Sequence, residues 1–202
     1  MPKVSPEHKA ARRAQIVAAA RRCFARNGFH ATSMDDVIGE AGLSAGAVYR
    51  YFPGKDALVV ATIEDTLDVL HTLVGPSLRE ATSPGQAVES VLRNALHELG
   101  DPGDASLTRV ALFAWAEAHR NPAVHQAVSS RYRKLRGMME DGATRWLDAA
   151  GADADAADIM AKAIFSALLG TVAQLALLGD VTPSDIRGGL DAFGSLGQPG
   201  AD

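Results

Sequence analysis

A stretch in the first third of the chain combines side chains that suit contact with the groove of duplex DNA. Ala45, Gly46 and Ala47 are too small to hold a backbone away from bases and phosphates, and an alanine methyl can contact a thymine methyl. Tyr49 and Tyr51 lie two residues apart, so on a helix their rings diverge and their hydroxyls can donate to phosphates. The pattern therefore predicts readout of a DNA groove.

Two short helices joined by a glycine turn must position these residues. Ser33 is of a type that caps a helix N-terminus, and Asp36 three residues later completes a capping-box pattern. Gly42 makes the turn, and Ser44 is a second N-cap. This layout predicts a helix-turn-helix motif over about residues 33–52.

The rest of the chain favours an all-α fold, because alternating β-branched runs are missing and Ala, Leu, Arg and Glu dominate. A first helix opens at Ser5-Pro6, and Gly28 should end it. Further helices are predicted from Lys55 to Gly75-Pro76, from Ser83 to a loop at Gly100–Asp104, over 107–119, over about 121–150, over about 156–178 and over about 183–194.

The helix predicted over about 156–178 is apolar on most of its sides. Ile159, Phe165, Leu168 and Leu175 all lie on it. Such a helix needs cover on two faces, one from its own domain and one from a partner chain. We therefore expect a homodimer formed through the helices at about 156–178 and 183–194.

Charge is divided unevenly along the 202 residues. Residues 1–55 carry nine Lys and Arg against four acidic groups, and the remaining 147 residues carry eleven against twenty. A basic head on an acidic body is expected where only the head meets phosphate. Chance clustering on a solvated helix is the alternative, and Arg21, Arg22 and Arg26 in particular fit a solvated face.

Other features of the sequence point to a cytoplasmic protein. Cys23 is the only cysteine, so no internal disulfide can form, and it falls on the apolar face of the first helix as a small core residue. The sequence shows no signal peptide and no stretch that we expect to span a bilayer, which needs about 20 apolar residues. We expect no membrane partner.

Several residues of the body could line a cavity for a mid-sized apolar or cationic ligand. Two indoles, a phenyl ring and a few polar groups fall on helices that we expect to pack together. The alternative is that each aromatic simply fills the core. The candidate set is His97, Trp115, His119, Trp146, Phe165 and Gln174.

Neither a metal site nor a catalytic site is predicted. His119, His125 and Glu117 are spaced so that they do not share one helical face, and Asn121-Pro122 interrupts the segment. The sequence has no Gly-rich phosphate loop, nucleophile elbow or clustered carboxylate pair. We therefore expect no enzyme activity and no cofactor.

The head resembles the tetracycline-repressor (TetR) family of bacterial transcriptional regulators. The resemblance is dense over the first quarter of the chain, and the stretch Arg109 to Pro122 looks like effector domains of the choline-responsive repressor type. The matching head positions are Ile16, Ala20, Phe24, Gly28-Phe29, Thr32-Ser33, Val37, Ala41-Gly42-Leu43-Ser44, Gly46, Val48-Tyr49, Tyr51-Phe52, Lys55 and Leu58.

The resemblance implies a homodimer of about nine helices per subunit whose two heads enter successive major grooves of a palindromic operator. It implies a DNA-binding domain over residues 1–54 and an effector-binding and dimerisation domain over 55–197. A small-molecule effector would release the repressor from DNA. Residues matching the family's DNA contacts are Ser33, Ala45, Gly46, Ala47, Tyr49, Tyr51 and Lys55, with Thr32, Ser44 and Arg50 as further contacts.

Two other functions fit the same sequence less well. A regulator or activator of this fold that binds DNA without needing a ligand would share every head motif. A small helical enzyme with a basic face would need a cluster of titratable groups in the body, which the sequence does not show. The leading prediction is a ligand-responsive repressor.

Overall fold

The computed structural model describes residues 5–99 and 106–196, and in this part of the chain all regular structure is helical. The predicted all-α fold of about nine helices is confirmed for these residues. The helices are α1 (Pro6–Ala31), α2 (Met34–Ala41), α3 (Ala45–Tyr49), α4 (Lys55–Glu80), α5 (Pro84–Leu99), α6 (Ser106–Ala118), α7 (Pro122–Ala150), α8 (Ala157–Leu177) and α9 (Pro183–Leu196), with a short 3-10 turn at Ala154–Ala156 before α8. The loop predicted at Gly100–Asp104 lies outside the described residues.

The helix starts follow the capping signals of the sequence. Ser5 caps α1, accepting a hydrogen bond from the His8 amide at 3.3 Å, and Pro6 is the first helical residue. Gly28 interrupts the helical backbone with φ 77° and ψ 169°, although the helical hydrogen-bond pattern resumes up to Ala31. The backbone therefore leaves helical geometry at the glycine predicted to end the helix, but the assigned helix ends at Ala31.

The predicted end of the fourth helix at Gly75-Pro76 is wrong, because α4 continues through Pro76 to Glu80. A proline inside a helix removes one backbone donor and usually bends or ends it. Here the turn after the proline carries Leu78, which is 2% exposed, and Val74 on the turn before is equally buried. Burial of both side chains in one core favours continuing the helix despite the lost hydrogen bond.

The described residues form two compact units. One contains residues 5–67 together with Arg109–Val128, and the other contains the remainder. This division differs from the predicted domains 1–54 and 55–197, since α6 and the first turns of α7 belong with the N-terminal helices. Leu58 and Ile63 of α4 and Val124 of α7 are each at most 2% exposed, and all three lie in the first unit.

The first unit has a core of small and aromatic side chains. Ile16 and Phe24 are fully buried on α1, and the Phe24 and Phe29 rings pack edge to face with centroids 5.0 Å apart. Cys23 is 1% exposed, and burial raises the pKa of its thiol. The prediction that Cys23 is a core residue is confirmed.

The second unit is built around α4, α5, α7 and α8. Val74, Val88, Met139 and Ile164 belong to one buried cluster. Trp146 and Phe165 are partly buried against it, and the Phe165 ring packs edge to face with Tyr132 at 5.1 Å. The aromatic side chains of this unit therefore contribute to packing.

Helix α9 packs very closely on the start of α5. The Gly85 backbone is so near α9 that a β-carbon added there would lie 2.5 Å from Asp191 Oδ1 and 3.1 Å from the Arg187 carbonyl oxygen. Four residues later, the Glu89 carboxylate accepts from Ser184 Oγ and Arg187 Nη1, both at 3.0 Å. These hydrogen bonds from Arg187, and then from Ser184, lower the pKa of Glu89. The close approach at Gly85 and the hydrogen bonds of the Glu89 carboxylate thus hold α9 against α5.

The two faces of α8 differ in burial. Ala157, Ala161, Ile164, Leu168 and Thr171 are buried at helical spacing. An opposite stripe is exposed and consists of Ile159, Ala163, Ser166, Gly170, Gln174 and Leu177.

By length and composition alone, the segment Ala154–Leu177 passes for a membrane-crossing helix, with a mean hydropathy of 1.6 in its most apolar window. The expectation from sequence that no segment has this composition is therefore wrong. Only 22% of that window is buried inside the structure, because just one face of α8 has cover from its own chain.

Gly85→Ala tests the close approach of α9 to α5. We expect it to lower the free energy of unfolding by about 1–2 kcal/mol, since the added methyl group must displace Asp191 and the α9 backbone. Urea unfolding followed by circular dichroism measures the change.

The matched control is Gly137→Ala on α7, where a β-carbon would meet nothing within 4 Å. Alanine in a helix interior should stabilise by about 0.5–1 kcal/mol. Equal effects at the two glycines would contradict the close packing.

Candidate nucleic-acid interface

Helix α2 begins with a complete capping box. Ser33 Oγ accepts from the Asp36 amide at 3.1 Å, and Asp36 Oδ2 accepts from the Ser33 amide at 2.8 Å and from Ser33 Oγ at 2.7 Å. These hydrogen bonds, the backbone one first, hold the pKa of Asp36 below its ordinary value. Ser33 is exposed as predicted, but a carboxylate already lies at this helix start.

The turn between α2 and α3 has the predicted glycine and serine caps. Gly42 adopts the left-handed conformation with φ 64° and ψ 34°, and its amide donates to the Gly39 carbonyl at 3.1 Å. Ser44 Oγ then accepts from the Ala47 amide at 3.3 Å. The chain therefore reverses between the two helices with its terminal backbone groups paired.

The inner side of helix α3 packs against the core, and its outer side is exposed to solvent. Val48 is fully buried and Phe52 is 4% exposed, so both anchor α3 to the core. Ala45 and Gly46 are exposed, and Tyr49 is 47% exposed and so is not a core residue. A surface with so few side chains allows a close approach of the α3 backbone to a groove.

The remaining residues predicted on α3 lie at its edge. Ala47 and Tyr51 are half-buried, while Ser44 and Arg50 are exposed. The Arg50 guanidinium carbon lies 5.6 Å from the centre of the Tyr51 ring, a cation–π arrangement. The Arg50 side chain is therefore exposed at the surface, and its guanidinium group packs against the Tyr51 ring.

Thr32 was expected among the phosphate contacts, but the structure places it in the interior. It is 1% exposed, and its hydroxyl donates to the carbonyls of Gly28 at 2.8 Å and Cys23 at 3.3 Å. These bonds tie the Thr32 side chain to the backbone on both sides of the break at Gly28. Sequence alone could not distinguish Thr32 from its exposed neighbour Ser33, because burial decides between them.

Lys55, expected to bind a phosphate, is engaged within the protein. Its Nζ donates to the His30 carbonyl at 3.0 Å and to the Thr32 carbonyl at 3.2 Å. An ammonium group has three donors, so one further contact is open to it. The structure therefore gives Lys55 the role of joining the start of α4 to the end of α1.

Two arginines of α1 join it to α2. Arg22 Nε lies 2.6 Å from Glu40 Oε1, and Arg26 Nη2 lies 2.5 Å from Glu40 Oε2. Hydrogen bonds from Arg22 and then Arg26 lower the pKa of Glu40. Gln15 Nε2 adds a bond of 2.8 Å to the Ala41 carbonyl. Arg22 and Arg26 therefore join α1 to α2 through Glu40, whereas the sequence predicted a purely solvated face for them.

The residues proposed for a ligand cavity are divided between the two units. Trp115 and His119 belong to the first unit, where Trp115 is half-buried and His119 is exposed. In the second unit, Trp146 Nε1 donates to the Ala81 carbonyl at 2.9 Å, and Phe165 packs on Tyr132. The alternative that the aromatics fill the core fits Trp146 and Phe165.

Two polar members of that set are exposed to solvent. His97 and Gln174 were expected to be polar groups lining a cavity among apolar side chains, yet the His97 side chain is 84% exposed beside Glu98 and Gln174 lies on the exposed stripe of α8. Apolar neighbours in sequence do not bury a residue when they occupy the opposite face of its helix.

One set of contacts has no counterpart in the sequence analysis. The Phe29 ring lies 6.1 Å from the Phe113 ring of α6, and His30 Nε2 lies 3.0 Å from Glu117 Oε2 and 2.6 Å from Arg120 Nη2. The partners are 84 to 90 positions apart, so local spacing gives no signal for them. These contacts bring α6 to the end of α1.

Among the described residues, no group of three or more His, Cys, Asp or Glu side chains is arranged to hold a metal ion.

Comparison with known proteins places the head in a family of regulators. The family model described as "Bacterial regulatory proteins, tetR family" matches residues 16–62. The chain is 36% identical over 131 residues to YfiR of Bacillus subtilis, an HTH-type transcriptional regulator. That match covers 65% of this chain and 63% of YfiR, so the chain spans just under two thirds of that relative.

Matches of lower identity extend over nearly the whole chain. BetI of Rhizobium meliloti, an HTH-type transcriptional regulator, is 27% identical over 196 residues, which is 93% of this chain and 94% of BetI. A transcriptional regulator from Saccharomonospora viridis, solved in complex with choline, superposes with a TM-score of 0.74 at 20% identity. That match covers 93% of this chain and 97% of the other and shows a common fold.

Lys55→Met tests the internal role of Lys55. Removing the ammonium group while keeping the apolar stem should lower the free energy of unfolding by about 1 kcal/mol, because two carbonyls lose a charged donor. Urea unfolding of the whole chain measures it.

Lys9→Met, at an exposed position of α1, is the control and should change stability by less than about 0.5 kcal/mol. A Lys55 variant as stable as the control would show that the two hydrogen bonds contribute nothing.

Proposed function

Because its N-terminal domain belongs to the TetR family of bacterial regulatory proteins, we propose that this chain is a transcriptional repressor. It acts as a homodimer that occupies a palindromic operator and leaves it when a small molecule binds. The observation that carries the proposal is the outward face of α3, where Ala45, Gly46 and Tyr49 are open to solvent while Val48 anchors the helix from behind.

The head supplies the two kinds of contact that an operator complex needs. Ala45, Gly46 and Ala47 allow the α3 backbone to enter a major groove, where an alanine methyl can meet a thymine methyl. Tyr49 and Arg50 are exposed beside them and can donate to phosphates. Phosphate contacts fix the register of the head, and the short α3 reads the bases.

The exposed stripe of α8 supports self-association. Its members Ile159, Ala163, Ser166, Gly170, Gln174 and Leu177 recur every three or four residues. That spacing keeps them on one face over about 27 Å. Large apolar residues lie at both ends, with Ile159 70% and Leu177 71% exposed. Between them lie the small residues Ala163, Ser166 and Gly170 and the polar Gln174. A second copy of the same helix can approach closely along such a face.

Helix α9 carries a further exposed apolar side chain. Its Phe193 is 74% exposed, although the helix is firmly held against α5 by Gly85 and Glu89. A rigid helix that presents a large exposed aromatic side chain is suited to an interface. We infer that α8 and α9 pair with their copies in a partner subunit, which places two heads on one operator.

The chemical character of the effector is inferred from similar proteins. The regulator from Saccharomonospora viridis was solved with choline, and the stretch around Trp115 and Glu117 resembles effector domains of the choline-responsive type. We infer an effector of moderate size with apolar or cationic character. Its binding must favour a dimer conformation that does not fit the operator, and DNA must weaken effector binding by the same factor.

Salt dependence tests DNA binding. A duplex enriched from a random pool by the wild-type protein should bind at least about tenfold more weakly in 200 mM than in 50 mM salt, because cationic side chains displace counterions from phosphates. Fluorescence anisotropy measures the affinity.

Arg50→Gln should flatten the dependence of log affinity on log salt by about one phosphate contact per head. Ala47→Ser, by contrast, should alter sequence preference while the slope stays the same. If the affinity of the wild-type protein for the duplex did not change with salt concentration, the proposed operator complex would be excluded.

Gly170→Leu tests the dimer. A β-carbon at Gly170 meets nothing within 4 Å in one subunit, so the fold should tolerate leucine, whereas a close helix pair should not. We expect at least about tenfold weaker dimerisation, measured by analytical ultracentrifugation, with helical content unchanged.

Ala149→Leu, an exposed position on α7, is the control and should leave the dimer intact. A Gly170 variant that dimerises as well as the wild-type protein would place the interface elsewhere.

A further inference from the structure

A cleft lies within the first unit, between α1, the N-terminal part of α4 and the start of α7. Its volume of about 560 Å³ is typical of small-molecule sites, which enclose roughly 300–1,000 Å³. Residues three and four positions apart lie along one side of a helix, so the α4 wall is a single strip. We call this space the α4–α7 cleft. Its α4 wall consists of Asp56, Ala57, Val60, Ala61 and Glu64.

Small side chains leave this space between the two helices. Ala57 and Ala61 on α4 and Ala123 on α7 each present only a methyl group. The start of α7 is held in place, because Asn121 Oδ1 accepts from the amides of Ala123 at 3.0 Å and Val124 at 3.3 Å. Val124 itself is fully buried. The gap between α4 and α7 is therefore a fixed feature of the fold.

The charged side chains that line the cleft favour a positively charged ligand. Asp56 and Glu64 are carboxylates, and Arg13 of α1 is the one cation among the described residues that line the space. The Arg13 guanidinium carbon lies 5.5 Å from the centre of the Phe52 ring, so this cation packs on an aromatic face. Two carboxylates and one guanidinium give the cleft a net charge of −1.

The two carboxylates are separated along α4 by an apolar strip. Glu64 follows Asp56 by eight residues, which is a rise of about 12 Å along the helix axis. Between them Val60 is half-buried and Ala61 is 4% exposed. A small inorganic cation can meet one carboxylate at a time. An elongated dication can place a charge at each and lay its methylene chain on the strip, where the chain leaves water.

From this arrangement we propose that the α4–α7 cleft binds an elongated organic dication of the aliphatic polyamine class. Asp56 holds one ammonium group and Glu64 holds another. The methylene chain between the two charges packs on Ala57, Val60 and Ala61, which distinguishes the ligand from an inorganic cation. The proposal goes beyond the proposed function, because it concerns the free protein and does not depend on an operator.

Spermidine is the probe, and it is titrated into the full-length protein without DNA, because polyamines bind duplex DNA themselves. Methyl NMR spectra of protein labelled at alanine and valine report the site. We expect the signals of Ala57, Val60 and Ala61 to shift with half-saturation below about 1 mM in about 25 mM salt, where screening is weak. The signal of Ala149, exposed near the end of α7, should not move.

Removal of either carboxylate without a change of shape tests its role. Asp56→Asn and Glu64→Gln should each weaken spermidine binding at least about fivefold, because one ammonium group loses its charged partner. Glu140→Gln, at an exposed carboxylate of α7 outside the cleft, is the charge-matched control and should bind spermidine as the wild-type protein does. Equal weakening in all three variants would show attraction to overall charge and overturn the site.

Two further variants separate charge from space. Arg13→Gln removes the cation from the cleft and should tighten spermidine binding by about twofold or more, since a like charge is lost. Ala123→Leu changes no charge and should abolish the methyl shifts by filling the cleft, whereas Ala149→Leu should not. Circular dichroism checks that each variant is folded. Weaker binding by Arg13→Gln, or unchanged binding by Ala123→Leu, would contradict the proposal.

A comparison of ligands tests the chemical class. Butylamine has a single ammonium group and should bind at least about tenfold more weakly than spermidine, and Mg²⁺ at equal concentration should not displace spermidine. If Mg²⁺ or inorganic phosphate shifted the same methyl signals as strongly, the polyamine assignment would be overturned. An absence of shifts at about 10 mM spermidine would also overturn it. Either result would leave the operator proposal standing, because DNA binding is measured separately by anisotropy.

Discussion

The first unit depends on how the chain leaves α1 and enters α2 with its backbone groups satisfied. The α1 backbone departs from helical geometry at Gly28, with φ 77° and ψ 169°. The Thr32 hydroxyl donates to the Cys23 and Gly28 carbonyls, and Lys55 Nζ donates to the His30 and Thr32 carbonyls from the start of α4. Because these donors lie on different elements, the end of α1 fixes where α2 and α4 begin.

That junction orients the reading helix. Helix α3 has only five residues, so it has too few internal hydrogen bonds to be stable alone. Its position comes from the Ser44 cap and from Val48 and Phe52 in the core behind it. Since the inner residues carry the packing, the outer ones are free to be small, and this is what a groove-fitting helix requires.

The second unit shows a different balance between rigidity and exposure. Helix α9 is fixed to α5 by a glycine contact and by a nearly buried carboxylate, and α8 is fixed by one buried face. Both helices nevertheless leave large apolar side chains in solvent, among them Ile159, Leu177 and Phe193. Rigid support behind an exposed apolar face is consistent with association between identical copies.

By itself the sequence determined what local chemistry controls. Ser5, Ser33, Ser44 and Asp36 specify helix starts through hydrogen bonds that span three residues, and the i, i+4, i+7 spacing of Ile16, Ala20 and Cys23 specifies a buried face. The all-α fold, the helix-turn-helix and the core role of Cys23 followed from these short-range rules.

Only the tertiary structure decided questions that depend on distant parts of the chain. Thr32 and Ser33 are adjacent and alike, yet one is interior and one exposed; α4 passes through Pro76 because Leu78 is buried; and Gln174 faces solvent although its neighbours are apolar. The contact of His30 with Glu117 joins residues 87 positions apart. Burial and long-range pairing arise from packing between elements, and no local pattern of residue types encodes which elements meet.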